Sequence, residues 1–188
     1  AAVTVIPGIT GSNKELAESA YKALHDYDAI QPELINVKDI KSKWKVLSDA
    51  EAIIFGCPTF FGNVSAEFKK FMEASSIFFS DQKWKNKLVT GFTCSGAANG
   101  DKLSTLLQLF IFASQHGMNW VSMGLGNAGD IFNENDPNNL NRMGCWIGAM
   151  AQVKKNATAG NRVGVADHKT VEYLSKRICK LVLGQSDE

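Results

Sequence analysis

Three short segments of this chain combine glycine, hydroxyl and small side chains in a way that could hold an anion or a flat ring. The first is Gly8-Ile9-Thr10-Gly11-Ser12-Asn13, which follows an apolar run and precedes a helical pattern. Hydroxyl groups and the free N–H groups that open a helix donate hydrogen bonds to anionic oxygens, and the helix dipole adds to the attraction. Taken alone, this segment predicts either a plain helix N-cap or a phosphate site.

The second segment is Cys57-Pro58-Thr59-Phe60-Phe61-Gly62-Asn63, which follows the buried-strand pattern Ala-Ile-Ile-Phe. Two adjacent aromatic residues cannot both face one core. One of them therefore either covers a helix end or lies along a flat aromatic ligand. The proline stiffens the turn, and Gly62 allows another backbone or a ligand to approach closely.

The third segment, Thr93-Cys94-Ser95-Gly96-Ala97-Ala98-Asn99-Gly100, also follows a strand pattern. Its side chains are so small that the backbone N–H groups stay accessible, which suits an oxygen atom that becomes negatively charged. Cys94 could have a redox role there, but a small apolar loop residue is the simpler interpretation.

A fourth glycine-rich segment, at 124–129, fits the dinucleotide fingerprint GxGxxG. That fingerprint requires a helix that begins inside the motif, whereas Asp-Ile-Phe-Asn-Glu-Asn-Asp-Pro follows here. We therefore do not predict a Rossmann-type nucleotide site at this position.

Strand-like and helix-like segments alternate along the chain, which predicts a parallel sheet with helices on both faces. The expected strands lie at 3–6, 33–37, 52–55, 88–94 and 120–121, and the expected helices at 16–24, 64–72, 103–111 and 171–181. Loops that leave the carboxyl ends of parallel strands share one edge, so the three segments should meet there. Residues 126–165 fit less well and are expected to be an insertion after the fifth strand, with a short buried helix over 144–153.

The composition limits the classes of partner. The 188 residues suit a single domain, and a net charge of +1 with both signs dispersed gives no reason to expect nucleic acid. No run approaches the roughly 18 apolar residues of a membrane span. The cysteines form no CxxC pair, so we expect reduced thiols in a cytoplasmic protein, with neither a zinc site nor a disulfide framework.

These motifs resemble the flavodoxin-like superfamily, and within it the WrbA-type NAD(P)H:quinone oxidoreductases and the NADPH-dependent FMN reductases. GCPTFFGNV at 56–64 is similar to the WrbA-type GTPTRFGNM, and FTCSG at 92–96 is similar to FTSSG. The opening segment resembles the flavodoxin phosphate loop S/T-x-T-G-N-T, and HGM at 116–118 matches the tripeptide before the fifth strand. The resemblance covers residues 3–125 and the last helix.

The resemblance implies a flavodoxin-like three-layer α/β sandwich whose five-stranded parallel sheet has the order 2-1-3-4-5. It also implies FMN, with its phosphate on the first segment, its ring along the second and its pyrimidine edge facing the third. The flavin carries the chemistry, so no catalytic residue or metal is expected. The implied cofactor-binding residues are Thr10, Gly11, Ser12, Asn13, Pro58, Thr59, Phe60, Phe61, Gly62, Asn63, Cys94, Ser95, Gly96, Ala97, Asn99 and Gly100.

The chain departs from this pattern where WrbA-type proteins carry a His beside the nicotinamide and quinone site, because Asn99 stands there. We expect Phe60, Phe79, Asn99 and Trp146 to line the substrate site. The insertion resembles the extra segment of other flavodoxin-family reductases. Its residues Asn141, Arg142, Trp146 and Gln152 either cover the flavin, form a subunit contact or simply pack.

The predicted function is an FMN-dependent NAD(P)H oxidoreductase that passes hydride from NADPH or NADH to a quinone-like or other small acceptor, as a homodimer or homotetramer. The first alternative is a flavodoxin-type electron-transfer protein without nicotinamide oxidase activity. The second is a binding module that has lost its cofactor. Flavodoxins are typically strongly acidic, so the charge of +1 favours the enzyme. The small residues retained in all three segments argue against the binding module.

Overall fold

The computed structural model describes residues 1–8 and 11–186, so Thr10 lies outside the described residues. Within that part of the chain the strands are β1 (Ala2–Pro7), β2 (Gln31–Leu34), β3 (Ala52–Phe60), β4 (Asn63–Val64), β5 (Leu88–Ser95), β6 (Asn119–Trp120) and β7 (Ala149–Gln152). The helices are α1 (Gly11–Leu24), α2 (Trp44–Asp49), α3 (Ala66–Ala74), α4 (Lys102–Gln115) and α5 (Val165–Val182), with short 3-10 helices at Val37–Ser42 and Ser75–Phe78.

The main path of the sheet runs β2-β1-β3-β5-β6, and all of its pairs are parallel. β4 lies outside this path and forms an antiparallel hairpin with the end of β3. With the hairpin strand set aside, the order is the predicted 2-1-3-4-5, and the predicted flavodoxin-like sheet is confirmed.

The fifth position of the sheet is divided between two short strands. β6 pairs with the start of β5 (Leu88 with Asn119), whereas β7 pairs with its end (Ser95 with Gln152). The expected buried helix over 144–153 is therefore wrong, because residues 149–152 complete the fifth strand. A short apolar run fits a buried helix and a buried strand equally well, so its periodicity could not separate them. The sequence predicts an insertion of residues 126–165 after the fifth strand. In the structure, residues 121–148 instead lie between β6 and β7, the two halves of that strand.

The second strand also differs slightly from its expected position of 33–37. It ends at Leu34, because the Asn36 side chain accepts a hydrogen bond from the Lys38 N–H (3.0 Å) and caps a 3-10 helix that begins at Val37. Such local capping by Asn competes with continuation of the strand.

Two apolar layers hold the sheet between the helices. Leu16 of α1 and Leu174 and Ile178 of α5 are buried against one face. Phe68 of α3 and Leu109 of α4 are buried against the other. This arrangement is the predicted three-layer sandwich. Within residues 1–8 and 11–186, no helix is both long enough and apolar enough to cross a membrane.

Candidate functional site

The first two predicted segments meet at the carboxyl edge of the sheet. The Gly8 N–H donates to the Gly56 carbonyl oxygen of β3 (2.7 Å) and to the Oδ1 atom of Asn13 (2.8 Å). Asn13 is buried in the first turn of α1, so its side chain ties the end of β1 to the start of that helix. The N-terminus of α1, with Gly11 and Ser12, therefore lies beside the loop that follows β3.

Buried hydroxyl groups join the second and third segments. Thr59 Oγ1 lies 2.7 Å from Thr93 Oγ1 and 2.8 Å from Thr105 Oγ1 of α4, all inside the protein. The Thr59 hydroxyl is thus occupied by protein partners. Its role here is to set the spacing between the ends of β3 and β5.

Phe61 and Gly62 form a two-residue turn between β3 and β4, with φ of 49° and 71°. Positive φ at both central residues is the pattern of a type I′ turn, which favours Asn-Gly. Gly62 adopts this conformation freely, whereas a bulky residue such as Phe61 is strained in it. The Phe61 side chain is nevertheless fully exposed, so no packing contact within the chain explains its presence.

The hairpin that carries Phe61 is held on α4 by one side chain. Gln108 Nε2 donates to the Gly62 carbonyl (3.2 Å), and Gln108 Oε1 accepts from the Val64 N–H (3.4 Å). Phe60 precedes the turn and is half-exposed, and Asn63 donates to the Phe61 carbonyl (3.1 Å). Strained exposed aromatic residues in a braced turn are typical of a ligand contact.

Lys102, the first residue of α4, fixes the conformation of the third segment through hydrogen bonds to its carbonyl groups. Its side chain is fully buried, and its ammonium group donates to the carbonyl oxygens of Ala97 (2.6 Å), Ala98 (3.0 Å) and Asn99 (3.0 Å). Burial lowers the pKa of Lys102 to about 8. Gln152 Nε2 donates to the Gly96 carbonyl in the same way (3.4 Å).

The carbonyl groups of this loop therefore face the protein. The N–H groups of residues 96–100 donate no hydrogen bond to the described part of the chain. Successive free N–H groups form a nest for an anion, and a buried ammonium group behind them adds positive potential. This loop can hold an oxygen atom that gains negative charge.

Cys94 lies at the end of β5 beneath the loop. Burial raises the pKa of its thiol to about 12. Only the thiolate is a good nucleophile, so Cys94 is held in its unreactive form. The geometry favours the interpretation of Cys94 as a small packed residue.

A cavity of about 540 Å³ lies between the third segment, the start of α4 and the segment 126–148. It brings Asn99 together with Trp146, whose indole N–H donates to the Leu125 carbonyl (2.8 Å). The remaining lining residues are mostly apolar: Ala98, Leu103, Ile131, Met143, Gly144, Cys145, Ile147 and Met150. Asn99 and Trp146 thus line one pocket, and its use as the substrate site stays a prediction.

Phe79 is not brought to this edge. Its ring packs edge-on to His116, with 6.0 Å between ring centroids, at the carboxyl end of α4. The third segment lies at the opposite end of that helix. Phe79 is near the fourth strand in sequence, but the crossover carries it to the amino edge of the sheet.

Two residues of the 126–165 segment pack internally. Arg142 and Asp167 form a buried bidentate pair, with Nε–Oδ1 and Nη2–Oδ2 distances of 2.7 Å. Arg142 Nη1 also donates to the Ile131 carbonyl (2.7 Å), and the Asn141 N–H donates to Thr170 Oγ1 (2.9 Å). These contacts fasten the segment to α5, so for Asn141 and Arg142 the packing alternative describes the geometry.

Sequence reasoning missed Lys102 as a site residue. A signal was available, because a cation at the N-terminus of an α-helix opposes the helix dipole and needs a compensating partner. The partners are carbonyl groups of the preceding loop, which have no signature in the sequence. Gln108 and Arg162 were also missed, because Gln108 contacts Gly62 and Arg162 contacts Glu15, and these partners are far away in the chain.

Comparisons with known proteins agree with this geometry. The family model of NADPH-dependent FMN reductases matches residues 44–129. Flavodoxin FldP of Pseudomonas aeruginosa is 35% identical over 141 residues, which cover 75% of each chain. An NAD(P)H dehydrogenase (quinone) of Archaeoglobus fulgidus is 33% identical over 86 residues, which cover 46% of this chain and 44% of that protein. The match thus spans less than half the length of that relative.

A solved structure extends the likeness to nearly the whole chain. A WrbA-like flavodoxin protein from Agrobacterium tumefaciens superposes with a TM-score of 0.74 and 29% identity, over 98% of this chain and 99% of that one. The chain therefore belongs to the flavodoxin-like superfamily, and within it residues 44–129 are similar to the NADPH-dependent FMN reductases.

Proposed function

We propose that this chain binds FMN at the carboxyl edge of its sheet and passes hydride from NADPH or NADH to a quinone-like or other small acceptor. The observation that carries the proposal is the loop of residues 96–100, whose free N–H groups are backed by the buried Lys102 ammonium. Bound FMN would supply the hydride chemistry itself, as cofactors do in such enzymes.

The residues at this edge fit FMN. The N-terminus of α1, at Gly11 and Ser12, offers N–H groups and a favourable dipole to a phosphate. The exposed Phe61 ring offers a flat apolar surface to an aromatic ring system. The loop of residues 96–100 offers donors to the polar edge of such a ring, and Thr59 keeps these loops at a fixed spacing.

The protein's contribution to the reaction is electrostatic and geometric. The N–H groups of residues 96–100 are already oriented, so they would stabilise negative charge on a bound flavin without reorganisation, and the Lys102 ammonium strengthens their potential. The three carbonyl contacts keep Lys102 from approaching the ligand directly, so its charge acts through the loop.

The pocket beside Asn99 suits the acceptor. Its lining is largely apolar with few polar groups, which is typical of a site for a flat small molecule. Several relatives carry the name NAD(P)H dehydrogenase (quinone), which supports a quinone-like acceptor. Trp146 is the proposed aromatic residue of this pocket. Phe60 does not line the pocket and is proposed to contact the acceptor from the hairpin that carries Phe61.

An electron-carrier function is the second candidate, because the relative that matches three quarters of this chain is a flavodoxin by name. A carrier would exchange single electrons with a protein partner and would not oxidise a nicotinamide. The net charge of +1 gives weak steering to a basic partner, which favours the enzyme.

We infer that the enzyme acts as a homodimer or homotetramer in the cytoplasm. α4 exposes apolar side chains at helical spacing, a feature that marks interaction surfaces. They are Leu103, Leu107, Phe110 and Ile111. All four cysteines are free and buried, which suits a reducing compartment.

An anaerobic titration tests the function. The protein reconstituted with FMN should lose its visible flavin absorption on addition of NADPH or NADH and regain it on addition of a quinone. Free FMN at the same concentration is the control. Flavin that is bound but not bleached by either nicotinamide would favour the carrier. No flavin binding after reconstitution would reject both redox functions.

Replacing Phe61 with Asn should stabilise the flavin-free protein by about 1 kcal/mol, because Asn tolerates the left-handed conformation that Phe resists. The same change should weaken FMN binding, since the aromatic surface is lost. Urea unfolding and FMN titration measure the two effects. The matched control is Phe132→Asn, because Phe132 is also almost fully exposed but has no positive φ. Unchanged FMN affinity in F61N would show that the ring does not contact the flavin.

A further inference from the structure

Residues 153–163 fold back over the start of α1. Val153 and Val163 form an antiparallel bridge, and the Lys154 N–H donates to the Arg162 carbonyl (2.7 Å). This return brings a cation, Arg162, from a distant part of the chain to the first turn of α1.

Glu15 of α1 holds this segment in place. Its Oε1 atom accepts from Arg162 Nη1 (2.8 Å) and from the Gly160 N–H (2.8 Å), and its Oε2 atom accepts from the Arg162 N–H (3.1 Å). The Glu15 side chain is only 11% exposed, so the contact is well protected from solvent. The backbone of the segment is thereby positioned independently of what the guanidinium group does.

The guanidinium group of Arg162 lies directly against Gly11. A Cβ atom at Gly11 would lie 2.7 Å from Arg162 Nη1 and 2.9 Å from Cζ, so in this arrangement the guanidinium group packs directly on the backbone of Gly11. The Nε and Nη2 atoms of Arg162 donate no hydrogen bond to any residue within 1–8 and 11–186. The Nε and Nη2 donors of Arg162 therefore remain available to a ligand at the N-terminus of α1.

A cation at a helix N-terminus is repelled by the positive end of the dipole. The repulsion becomes attraction when an anion lies beside both groups, because both then contribute donors to it. Arg presents its N–H groups as a planar fork that matches phosphate oxygens, and such charge-assisted hydrogen bonds are stronger than neutral ones. The juxtaposition of Gly11 and Arg162 is therefore suited to a phosphate group.

We propose that Arg162 binds the phosphate of FMN together with the N-terminus of α1, beside which its guanidinium group lies, and so makes the site select FMN over riboflavin. The inference rests on the proposed FMN function. It adds a positively charged ligand from the segment before α5 to a phosphate site otherwise built from backbone and hydroxyl donors.

Titrations of the flavin-free protein with FMN and with riboflavin, followed by quenching of flavin fluorescence, test the proposal. In R162Q, we expect the Kd for FMN to rise at least about tenfold, the size expected for a lost charged hydrogen bond, and the Kd for riboflavin to stay unchanged. R162K, which keeps the charge but not the fork, should fall between R162Q and the original protein. Inorganic phosphate without flavin should raise the melting temperature of the original protein more than that of R162Q.

Lys154→Gln is the matched control, because Lys154 is a cation of the same segment that contacts Asn161 (3.3 Å) and Glu134 (3.8 Å) instead of Gly11. It should leave FMN affinity unchanged. Equal losses of FMN and riboflavin binding in R162Q, or no loss of FMN binding, would overturn the role of Arg162 while leaving the FMN function intact. Failure of the unmodified protein to bind FMN would overturn both.

Discussion

Replacing Lys102 with Met is expected to slow nicotinamide-driven reduction of the bound flavin about a hundredfold, because the N–H groups of residues 96–100 would lose their fixed orientation and loss of one oriented donor typically costs this much. It should also make the midpoint potential of the flavin more negative. Met has similar length and suits a fully buried apolar site, but it gives the carbonyls of residues 97–99 no donor. The loop would lose both its internal fastening and the positive charge behind its N–H groups. Stopped-flow reduction without oxygen and a dye-coupled potential titration measure the two effects.

Lys87→Met provides the control for this experiment. Lys87 also donates to carbonyl groups, those of Ser48 (2.7 Å) and Ala50, but it lies at the opposite edge of the sheet. The variant should lose stability and keep the potential and reduction rate of the original protein. If K102M kept its original flavin potential, the loop of residues 96–100 would not be the group that holds the developing charge.

The role of Lys102 can also be tested through the pH dependence of the flavin reduction rate. Burial lowers the pKa of Lys102 to about 8, so the reduction rate should fall as the pH rises through that value, and K102M should lack this fall. Stability should change in the other direction. Between the folded pKa and the ordinary value of 10.5, the unfolded chain binds more protons at this residue, so its contribution to the free energy of unfolding rises with pH. A rate that falls while stability rises would exclude unfolding as the cause.

Asp167→Ala is expected to lower the free energy of unfolding by about 3–5 kcal/mol, because removal of Asp167 leaves the buried Arg142 with only the more distant carboxylate of Glu134 (4.0 Å). Arg142 is 2% exposed and Asp167 1% exposed, and both carboxylate oxygens of Asp167 accept from Arg142. The Gln152 N–H of β7 would also lose its acceptor, which is Asp167 Oδ2 at 2.9 Å. Urea unfolding at neutral pH, with and without FMN, measures the loss.

The double variant R142M/D167L separates the charge from the packing. Removing both charges from a buried pair is often neutral, so the double variant should recover much of the stability lost by D167A. Asp26→Ala removes an exposed ion pair with Lys176 (2.6 Å) and should have little effect. A loss in D167A no larger than that in D26A would mean that the buried pair does not hold the 126–148 segment on α5.

The architecture could be predicted because its determinants are local. A continuous apolar run at 52–55 indicates a strand covered on both faces, and the spacing of Leu16 and Ala20 indicates a helix face. Alternation of such elements leaves few topologies, since parallel crossovers are right-handed and neighbours in the chain tend to be neighbours in the sheet. The loops after β1, β3 and β5 could be placed together for the same reason.

The details that failed depend on contacts between distant residues. Ala149 to Gln152 became a strand because the end of β5 offered an open edge, which the sequence of 144–153 does not reveal. Phe79 is expected at the substrate site from the sequence. In the structure it packs against His116 at the carboxyl end of α4, far from the loop of residues 96–100. Such outcomes are decided by tertiary pairing, which overrides local pattern.

By itself, the sequence determined the alternation of strands and helices, the three loops at one edge and the motifs of the family resemblance, because these patterns lie in consecutive residues. The sheet order followed from the resemblance. Only the tertiary structure decided how those loops are held and charged. Lys102 contacts a loop whose carbonyls could have faced either way, and Arg162 reaches Gly11 across about 150 residues of chain. Neither the orientation of backbone carbonyl groups nor a contact between distant residues produces a recognisable sequence pattern. The roles of Lys102 and Arg162 therefore follow only from the packed fold.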